Sequence, residues 1–255
     1  MTDPSQFYTG LVAELYAPLR RHAYDDPRPY AKLIAEHGEP ALELGCGDGD
    51  PIIELRVLGL DVEGLDSSAD MLQRCRTAAA ACGVQISLHH QTMQQMDTGR
   101  TYGTVFLAGP TFCLLPDDRT ALLALHRIRR HLHPDGTAIV PLHTPPPTQA
   151  GDVGRVVEHT TDEGECMRVT TIARHRDDAA RLLSTSLRYE RWHATTPVEV
   201  EVEEREWLLH WYDQSDFGRL CGQADLVVRA IVSADGSAAP STATDITVVL
   251  QPETT

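Results

Sequence analysis

Apolar residues recur along this chain with two different spacings, and the spacing changes several times between residues 27 and 142. Two short apolar runs, "ALEL" at 41–44 and "YGTVFLAG" at 102–109, are too short for helices and predict buried strands. Longer stretches with helical spacing lie around them, and one begins at Asp26 and ends at Gly38. Strands that alternate with helices in this way predict a parallel sheet with helices on both faces.

The other predicted elements continue this alternation and return to it at the end of the chain. The predicted helices span 10–23, 27–38, 50–58, 71–83, 117–133 and 215–226. The predicted strands of the sheet span 41–44, 60–66, 84–90, 102–109, 137–142, 227–232 and 245–250. Ser67 followed by Asp70 predicts a capping box for the fourth helix, and Ser215 is predicted to cap the last one.

Residues 153–210 have a different pattern, in which β-branched and polar residues alternate. The segments "CMRVTTIARHR", "RLLSTSLRYERWH" and "VEVEVEEREWLLHW" predict an antiparallel meander. The proline-rich "TPPPT" at 144–148 predicts a stiff linker into it. Its bulky aromatic residues would give an apolar wall, so the meander is predicted to be a substrate cap, a dimer interface or both, with the cap favoured; they are Tyr189, Trp192, Trp207 and Trp211.

The charge of the chain limits its partners. Its 255 residues include 22 basic and 37 acidic ones, which gives a formal net charge of −15. Such a surface repels phosphate backbones and anionic lipids, so neither nucleic acid nor a membrane is an expected partner. No apolar run approaches the ~18 residues of a membrane span, and "MTDPSQFY" at the start has no signal-peptide pattern. The expectation is a soluble, cytoplasmic protein.

Cysteines and histidines do not form a metal-binding pattern. The six cysteines are scattered without a CxxC pair, which suits a reducing compartment. His126, His131 and His133 share one predicted helix, but no two of them are four positions apart, as a metal pair on one helix face requires. The sequence therefore predicts no metal site.

The glycines of "ALELGCGDGDP" lie between the first strand of the sheet and the next helix. Gly45, Gly47 and Gly49 let the backbone pass close to a ligand at the carboxyl edge of the sheet. A dinucleotide fingerprint would need its third glycine where this chain has Asp50. The carboxylates of Glu43 and Asp50 would also repel a pyrophosphate. This loop therefore favours a cationic ligand without a phosphate.

Three motifs in order resemble class I S-adenosylmethionine-dependent methyltransferases of the small-molecule type. They are "LELGCGDGD", then "VEGLDSSADML" about 20 residues later, and "LHPDGTAIV" at the end of the core. The resemblance is close over 40–142 and looser over the last helix and two strands. It implies a Rossmann-like α/β fold, with a seven-stranded, mostly parallel sheet and the antiparallel β meander as an insert. S-adenosylmethionine would be the cofactor, and a methyl group would pass to an oxygen, nitrogen or carbon atom of a small-molecule acceptor.

The same resemblance divides the chain into four parts. An N-terminal helical lid segment would span 1–39, the S-adenosylmethionine-binding core 40–143, and the β-meander insert 144–212. A last helix and two strands at 213–255 would complete the core sheet.

The resemblance also implies which residues meet the cofactor. Backbone atoms of the glycine loop would approach its methionine part, with Glu43 on the ammonium side. Asp66, at the end of the second strand, would accept hydrogen bonds from both ribose hydroxyls. Thr92 stands where many relatives place an acid for the adenine amino group. The full set of implied cofactor residues is Glu43, Gly45, Cys46, Gly47, Asp66, Ser67, Met71, Thr92, Met93 and Ala108.

Two histidines are candidates for a catalytic base, because an imidazole can take a proton near neutral pH. His143 follows the fifth strand, and His210 lies where the meander returns to the core. The candidate substrate contacts are Tyr8 and Tyr16, in a segment that often folds over the site in similar methyltransferases, and Thr111 and Phe112 in "AGPTF". The meander also allows a homodimer.

Two other functions stay open at this point. The chain could be a methyltransferase-like enzyme that keeps the cofactor for a reaction without methyl transfer, since a fold does not fix its chemistry. It could also be a non-catalytic partner subunit, although Glu43, the glycine loop and Asp66 are all in place. Formation of S-adenosylhomocysteine tests the first alternative, and cofactor affinity of the isolated chain tests the second.

Overall fold

The computed structural model describes residues 7–19 and 26–253, and the chain falls into two compact units. The core unit comprises residues 24–145 and 210–255, and the β unit comprises residues 1–23 and 146–209. In chain order the helices are α1 (Gly10–Leu19), α2 (Pro27–His37), α3 (Ile52–Val57), α4 (Ala69–Ala81), α5 (Asp118–His131) and α6 (Gln214–Gln223). The strands are β1 (Ala41–Leu44), β2 (Val62–Asp66), β3 (Leu88–His90), β4 (Tyr102–Phe106), β5 (Leu132–His143), β6 (Val156–Thr160), β7 (Glu165–Asp177), β8 (Leu182–His193), β9 (Thr196–His210), β10 (Leu226–Val232) and β11 (Asp245–Pro252).

The core unit contains a seven-stranded sheet in the order β10-β11-β5-β4-β1-β2-β3. The strands from β3 to β5 in that order run parallel, while β11 is antiparallel to both β5 and β10. The predicted α/β fold with a mostly parallel sheet and a separate antiparallel sheet is confirmed. The strand order reverses between β1 and β4, and open α/β sheets bind ligands beyond the carboxyl ends of the strands at such a point.

One face of this sheet is covered by α2, α3 and α4. Ile34 of α2 and Ile53 of α3 pack with Ala41 of β1, Phe106 of β4 and Ile139 of β5 in one buried cluster. Because neighbouring residues of a strand point to opposite faces, this cluster shows which residues of each strand lie on the α2–α4 face.

Two of the predicted helix caps are wrong by one or two positions. The side chain of Ser68, and not that of Ser67, accepts a hydrogen bond from Met71 N at 3.1 Å and caps α4. Asp213 caps α6 by accepting from Asp216 N at 2.7 Å, while the hydroxyl of Ser215 donates to Asp213. In both cases the residue directly before the first hydrogen-bonded turn is the cap, and a nearby serine competes for that position in the sequence.

Several boundaries also differ from the sequence prediction. The third strand begins at Leu88 and not at 84, and the fifth begins at Leu132, so that α5 ends at His131. The predicted helix at 10–23 ends at Leu19, and its last positions lie outside the described residues. In the antiparallel sheet, the short and mostly exposed β6 was not predicted, because it carries too few apolar residues to stand out.

The β unit consists of the antiparallel sheet β6-β7-β8-β9 and helix α1. Leu11 and Leu15 of α1 pack against Met167 of β7 and Tyr189 of β8 in a second buried cluster. The carboxylate of Glu203 accepts a hydrogen bond from Leu11 N at 3.0 Å at the start of the helix. Within residues 7–19 and 26–253, no helix is long and apolar enough to cross a membrane.

Candidate active site

The glycine loop follows β1 at the carboxyl edge of the core sheet. Gly45, Gly47 and Gly49 have φ angles of +74°, +54° and +107°, which other residues adopt only with strain. The amide groups of Gly45 and Cys46 both donate to Leu65 O, at 2.7 and 3.1 Å, and so fasten the loop to the end of β2. The loop is thus held in a left-handed backbone conformation that its glycines make accessible.

Neighbouring side chains approach this loop closely. A Cβ atom on Gly45 would lie 2.6 Å from Thr111 Cγ2, and one on Gly49 would lie 2.4 Å from Ile53 Cδ1. Both distances are shorter than a van der Waals contact allows. Thr111 belongs to a short 3₁₀ turn, Pro110–Leu114, that follows β4. The predicted substrate contact Thr111 therefore lies directly against the predicted cofactor loop.

Asp66 is the last residue of β2 and connects the loop to α4. Its Oδ2 accepts from Gly47 N at 2.9 Å, and its Oδ1 accepts from Ser68 N at 2.8 Å. Burial raises the pKa of this carboxyl group, although the hydrogen bonds from Ser68 and Gly47 act in the opposite direction. A carboxylate oxygen can accept more than one hydrogen bond, so both oxygens keep capacity for a diol.

Glu43 lies inside the protein at the carboxyl end of β1. Its side chain is fully buried, with 0% exposure. It shares the α2–α4 face with Ala41, since the two residues are two positions apart in one strand. A buried carboxylate beside the glycine loop is suited to a cationic group of a ligand. The donor set at this edge therefore fits a cationic ligand that carries a ribose.

Two thioether groups, those of Met71 and Met93, lie beside the loop. The Cε of Met71 is 3.4 Å from the position of a Cβ on Gly47, and that of Met93 is 3.6 Å from one on Gly45. Both side chains are buried. Thr92 makes a contact within the protein, because its hydroxyl donates to Gln95 Oε1 at 3.2 Å.

Ser67 and Ala108 use their backbone carbonyls within the protein. Ser67 O accepts from His90 Nε2 at 3.0 Å, and Ala108 O accepts from Tyr30 Oη at 2.8 Å. The ring of Tyr30 also lies 5.6 Å from that of Phe106. Sequence reasoning missed both His90 and Tyr30. Tyr30 is 78 positions from Ala108 and shows no local signal, whereas His90 closes a strand beside Asp66 and could have been found from that position.

The two candidate bases lie in different surroundings. His143 ends β5, and its Nδ1 lies 2.7 Å from Asp245 Oδ1. His210 is buried, with its ring 4.7 Å from that of Tyr212 and its Nε2 3.7 Å from Asp118 Oδ1. Only His143 keeps part of its side chain, 31%, exposed to solvent.

The remaining predicted substrate contacts are packed against other aromatic rings. Phe112 is fully buried, and its ring lies 5.9 Å from that of Tyr212 and 5.5 Å from that of Phe217. In the β unit, the rings of Tyr8 and Tyr16 meet edge to face at 5.4 Å. Of the residues predicted to form an apolar wall, Tyr189 and Trp207 pack around the α1 cluster. The described parts of the chain contain no group of three or more metal-ligating side chains placed to hold an ion.

The thiols near the loop are expected to be unreactive. Burial, together with the charges of Asp66 and Glu43, raises the pKa of Cys46 well above its usual range. Burial raises the pKa of Cys75 to about 12, with Glu43 and Asp48 adding to the effect. A thiol with such a pKa holds roughly one thiolate in ten thousand at pH 8, and the thiolate is the reactive form.

We therefore expect a thiol reagent at pH 8 to modify the exposed Cys82 first in the native protein. The buried cysteines (Cys46, Cys75, Cys113 and Cys221) should react at least about a hundredfold more slowly, since they require local opening. Mass spectrometry of the modified peptides over time measures this order. Cys82→Ser should remove the fast phase, and fast labelling of Cys46 in that variant would contradict the prediction.

Comparisons with known proteins agree with the fold. A family described as "Methyltransferase domain" matches residues 41–136. The chain is 28% identical over 227 residues to dTDP-3-amino-3,6-dideoxy-alpha-D-glucopyranose N,N-dimethyltransferase from Streptomyces fradiae, with 78% of this chain and 88% of that protein covered.

Solved structures are similar over nearly the whole chain. One is an S-adenosylmethionine-dependent methyltransferase from Clostridium acetobutylicum, with a TM-score of 0.73, 15% identity and coverage of 95% of this chain and 98% of the other. Another is a sugar N-methyltransferase from a Streptoalloteichus species, with a TM-score of 0.72, 18% identity and coverage of 95% and 94%. At these identities, the similarity shows a shared fold.

Proposed function

We propose that this chain, a class I S-adenosylmethionine-dependent methyltransferase that acts on small molecules, transfers the methyl group to the amino nitrogen of a nucleotide-linked amino sugar. The proposal draws on the Streptomyces fradiae relative, whose name gives a dTDP-linked 3-amino sugar and two N-methylations. The similarity to that enzyme extends well beyond residues 41–136, into segments outside the methyltransferase domain. Such segments commonly determine which acceptor an enzyme of a given fold uses.

The hydrogen bond from Gly47 N to Asp66 Oδ2 is the observation that supports the proposed cofactor binding. S-adenosylmethionine, when bound, supplies an electrophilic methyl group on a positively charged sulfur. We propose that Asp66 receives the two ribose hydroxyls with the lone pairs that Gly47 and Ser68 leave free. The buried carboxylate of Glu43 would balance the ammonium group of the cofactor. The other proposed cofactor contacts are Gly45, Cys46, Gly47, Ser67, Met71, Thr92, Met93 and Ala108.

On the acceptor side, the main task of the protein would be alignment of the amine with the methyl group. Thr111 is proposed as a substrate contact, because it lies against Gly45 at the carboxyl edge of the sheet. The other proposed acceptor-side residues, Phe112, Tyr8, Tyr16, His143 and His210, stay predictions at this stage. The same holds for the β unit as a substrate cap or dimer interface. We also propose a cytoplasmic location, which the scattered cysteines favour. We propose no nucleic-acid partner, which the net charge of −15 favours.

Incubation with S-adenosylmethionine and dTDP-3-amino-3,6-dideoxyglucose tests the proposal. We expect mass spectrometry to detect the mono- and dimethylated sugar together with a matching amount of S-adenosylhomocysteine. The matched control is the dTDP sugar that carries a hydroxyl in place of the amine, which should give no product. Methylation of the hydroxyl analogue alone, or consumption of neither sugar by a protein that binds the cofactor, would refute an amino-sugar acceptor.

A further inference from the structure

His143 and Asp245 form a pair across two strands of the core sheet. His143 is the last residue of β5 and Asp245 the first of β11, and the antiparallel register places them directly opposite each other. The Nδ1 of His143 lies 2.7 Å from Asp245 Oδ1. The carboxylate is itself held, since Thr244 Oγ1 donates to Asp245 Oδ2 at 3.0 Å. This pair was built by the pairing of distant segments, 102 positions apart.

The pair lies at the same edge and on the same face as the buried carboxylate of Glu43. Ile139 packs in the cluster on the α2–α4 face, and His143 follows it at an even spacing in β5. Glu43 follows Ala41 in β1 in the same way. Only β4 separates β1 from β5, so their axes are about 10 Å apart.

One short segment touches both the glycine loop and the end of β5. In the Pro110–Leu114 turn, Thr111 lies against Gly45, and Cys113 Sγ donates to His143 O at 3.8 Å. The glycine loop and the backbone of His143 are therefore in contact with the same short turn. The Nε2 of His210 faces Asp118 of α5 instead.

The carboxylate determines which nitrogen of His143 can accept a proton. An ionised carboxylate only accepts hydrogen bonds, so in the neutral ring Nδ1 carries the hydrogen and Nε2 carries a lone pair. No group in the described part of the chain forms a hydrogen bond with Nε2 of His143. The titratable groups that the structure records against this end of β5 are Asp245 on β11 and the thiol of Cys113 on the turn after β4.

We propose that Asp245 is a positioning residue that holds His143 with Nε2 available to deprotonate the acceptor amine, an inference that rests on the proposed function. The amino group of a sugar is largely an ammonium ion at neutral pH and has no lone pair for the methyl group. In the step assigned to His143, one N–H bond of the ammonium ion breaks and its electron pair stays on nitrogen. The proton binds to Nε2, and Asp245 stabilises the resulting imidazolium ion before the proton leaves to solvent.

The test uses the full-length protein with S-adenosylmethionine and dTDP-3-amino-3,6-dideoxyglucose as the acceptor. The variants are Asp245→Asn, His143→Gln, their combination, and His210→Gln. Glu253→Gln is the matched control, because it removes one exposed carboxylate next to the opposite end of β11. The readouts are kcat, cofactor affinity by calorimetry, and the tautomer of the His143 ring by nitrogen NMR, assigned with His143→Gln.

We expect His143→Gln to lower kcat by about 10² to 10⁴. Asp245→Asn should lower kcat about 10- to 100-fold, because the carboxylate no longer holds the hydrogen of the neutral ring on Nδ1. The NMR spectrum of this variant should show a larger share of the tautomer that carries the hydrogen on Nε2. The combined variant should be no slower than His143→Gln alone, because the two residues act through one proton transfer. Cofactor affinity should not change, and Glu253→Gln should behave as wild type.

Two results would overturn the role of Asp245 while the proposed function stands. In the first, the wild-type protein methylates the amino sugar, and Asp245→Asn keeps its kcat even though NMR shows that the tautomer of His143 has changed. In the second, His210→Gln and not His143→Gln lowers kcat. A wild-type protein that binds S-adenosylmethionine but leaves the amino sugar unmethylated would instead overturn the proposed function, and this inference with it.

Discussion

Asp66→Asn is expected to weaken the binding of S-adenosylmethionine by about a hundredfold or more. The carboxylate accepts from Gly47 and Ser68 and is proposed to receive both ribose hydroxyls. An amide keeps one accepting oxygen and replaces the other with an NH₂ group that cannot accept. The variant therefore loses one charge-assisted hydrogen bond to the ribose, worth about 1.5–3 kcal/mol, and the other is weakened because the remaining oxygen is no longer charged. Since about 1.4 kcal/mol corresponds to a tenfold change in affinity, a loss of this size is readily measured.

Calorimetry with S-adenosylmethionine and S-adenosylhomocysteine measures this effect. Asp70→Asn is the matched control, because it removes the same charge from the exposed first turn of α4 and should keep wild-type affinity. Equal affinities for the two variants would refute the ribose assignment. A loss of affinity accompanied by a loss of thermal stability would indicate instead that Asp66 mainly holds the loop.

The same carboxylate gives the wild-type protein an expected pH dependence. Burial raises the pKa of Asp66, so as the pH falls it becomes protonated at a higher pH than an ordinary aspartate. Cofactor affinity should therefore fall on acidification, starting above the usual titration range of aspartate. In Asp66→Asn this part of the pH dependence should be missing.

Gly45→Ala is expected to damage the cofactor site more than its small size suggests. The added methyl group would lie 2.6 Å from Thr111 Cγ2, so that either the loop or the turn after β4 must move. Overpacking of this kind costs about 1–3 kcal/mol, and the φ of +74° adds about 1–2 kcal/mol for a residue with a Cβ. Because the displaced atoms belong to the loop itself, cofactor affinity should fall at least about tenfold, along with the free energy of unfolding.

Gly83→Ala separates the effect of backbone strain from the effect of crowding. Gly83 has nearly the same φ, +72°, but apart from its chain neighbours no residue would lie within 4 Å of a Cβ there. This control should therefore show only the backbone strain, with cofactor affinity unchanged. Chemical denaturation and calorimetry measure both quantities for each variant.

A second substitution tests whether Thr111 is the cause of the crowding. Thr111→Ser removes the Cγ2 methyl group, so the combination Gly45→Ala with Thr111→Ser should recover part of the affinity and stability lost by Gly45→Ala. If the combined variant is no better than Gly45→Ala alone, the contact between the loop and the turn does not determine the geometry of the site.

The sequence was sufficient to predict the core sheet, the glycine loop and the position of Asp66. Apolar runs too short for helices predicted β1 and β4, and the glycines after β1 lie where the chain must turn sharply. Asp66 was placed correctly at the end of β2. These features depend on local spacing, and parallel strands joined by helices all end at the same edge of a sheet. The sequence therefore placed Asp66 and the glycine loop at the same edge of the sheet.

The sequence pattern could not predict which residue caps α4 or α6. Ser67 and Ser68 are both good caps, as are Asp213 and Ser215, and propensity cannot choose between neighbours of similar quality. The exact start of the first helical turn makes that choice. It depends on how the preceding strand and loop are anchored, which is a tertiary property.

The contacts that give the site its proposed chemistry were decided only by the tertiary structure. His143 and Asp245 meet because β11 inserts antiparallel beside β5, and Tyr30 reaches Ala108 because α2 packs on β4. Such contacts join segments that lie far apart in the chain. Their formation depends on strand order and helix packing, which are set by the burial of the whole apolar surface and leave no pattern at any single position. The sequence thus determined which residues lie at the edge of the sheet, and the folded chain determined which of them touch.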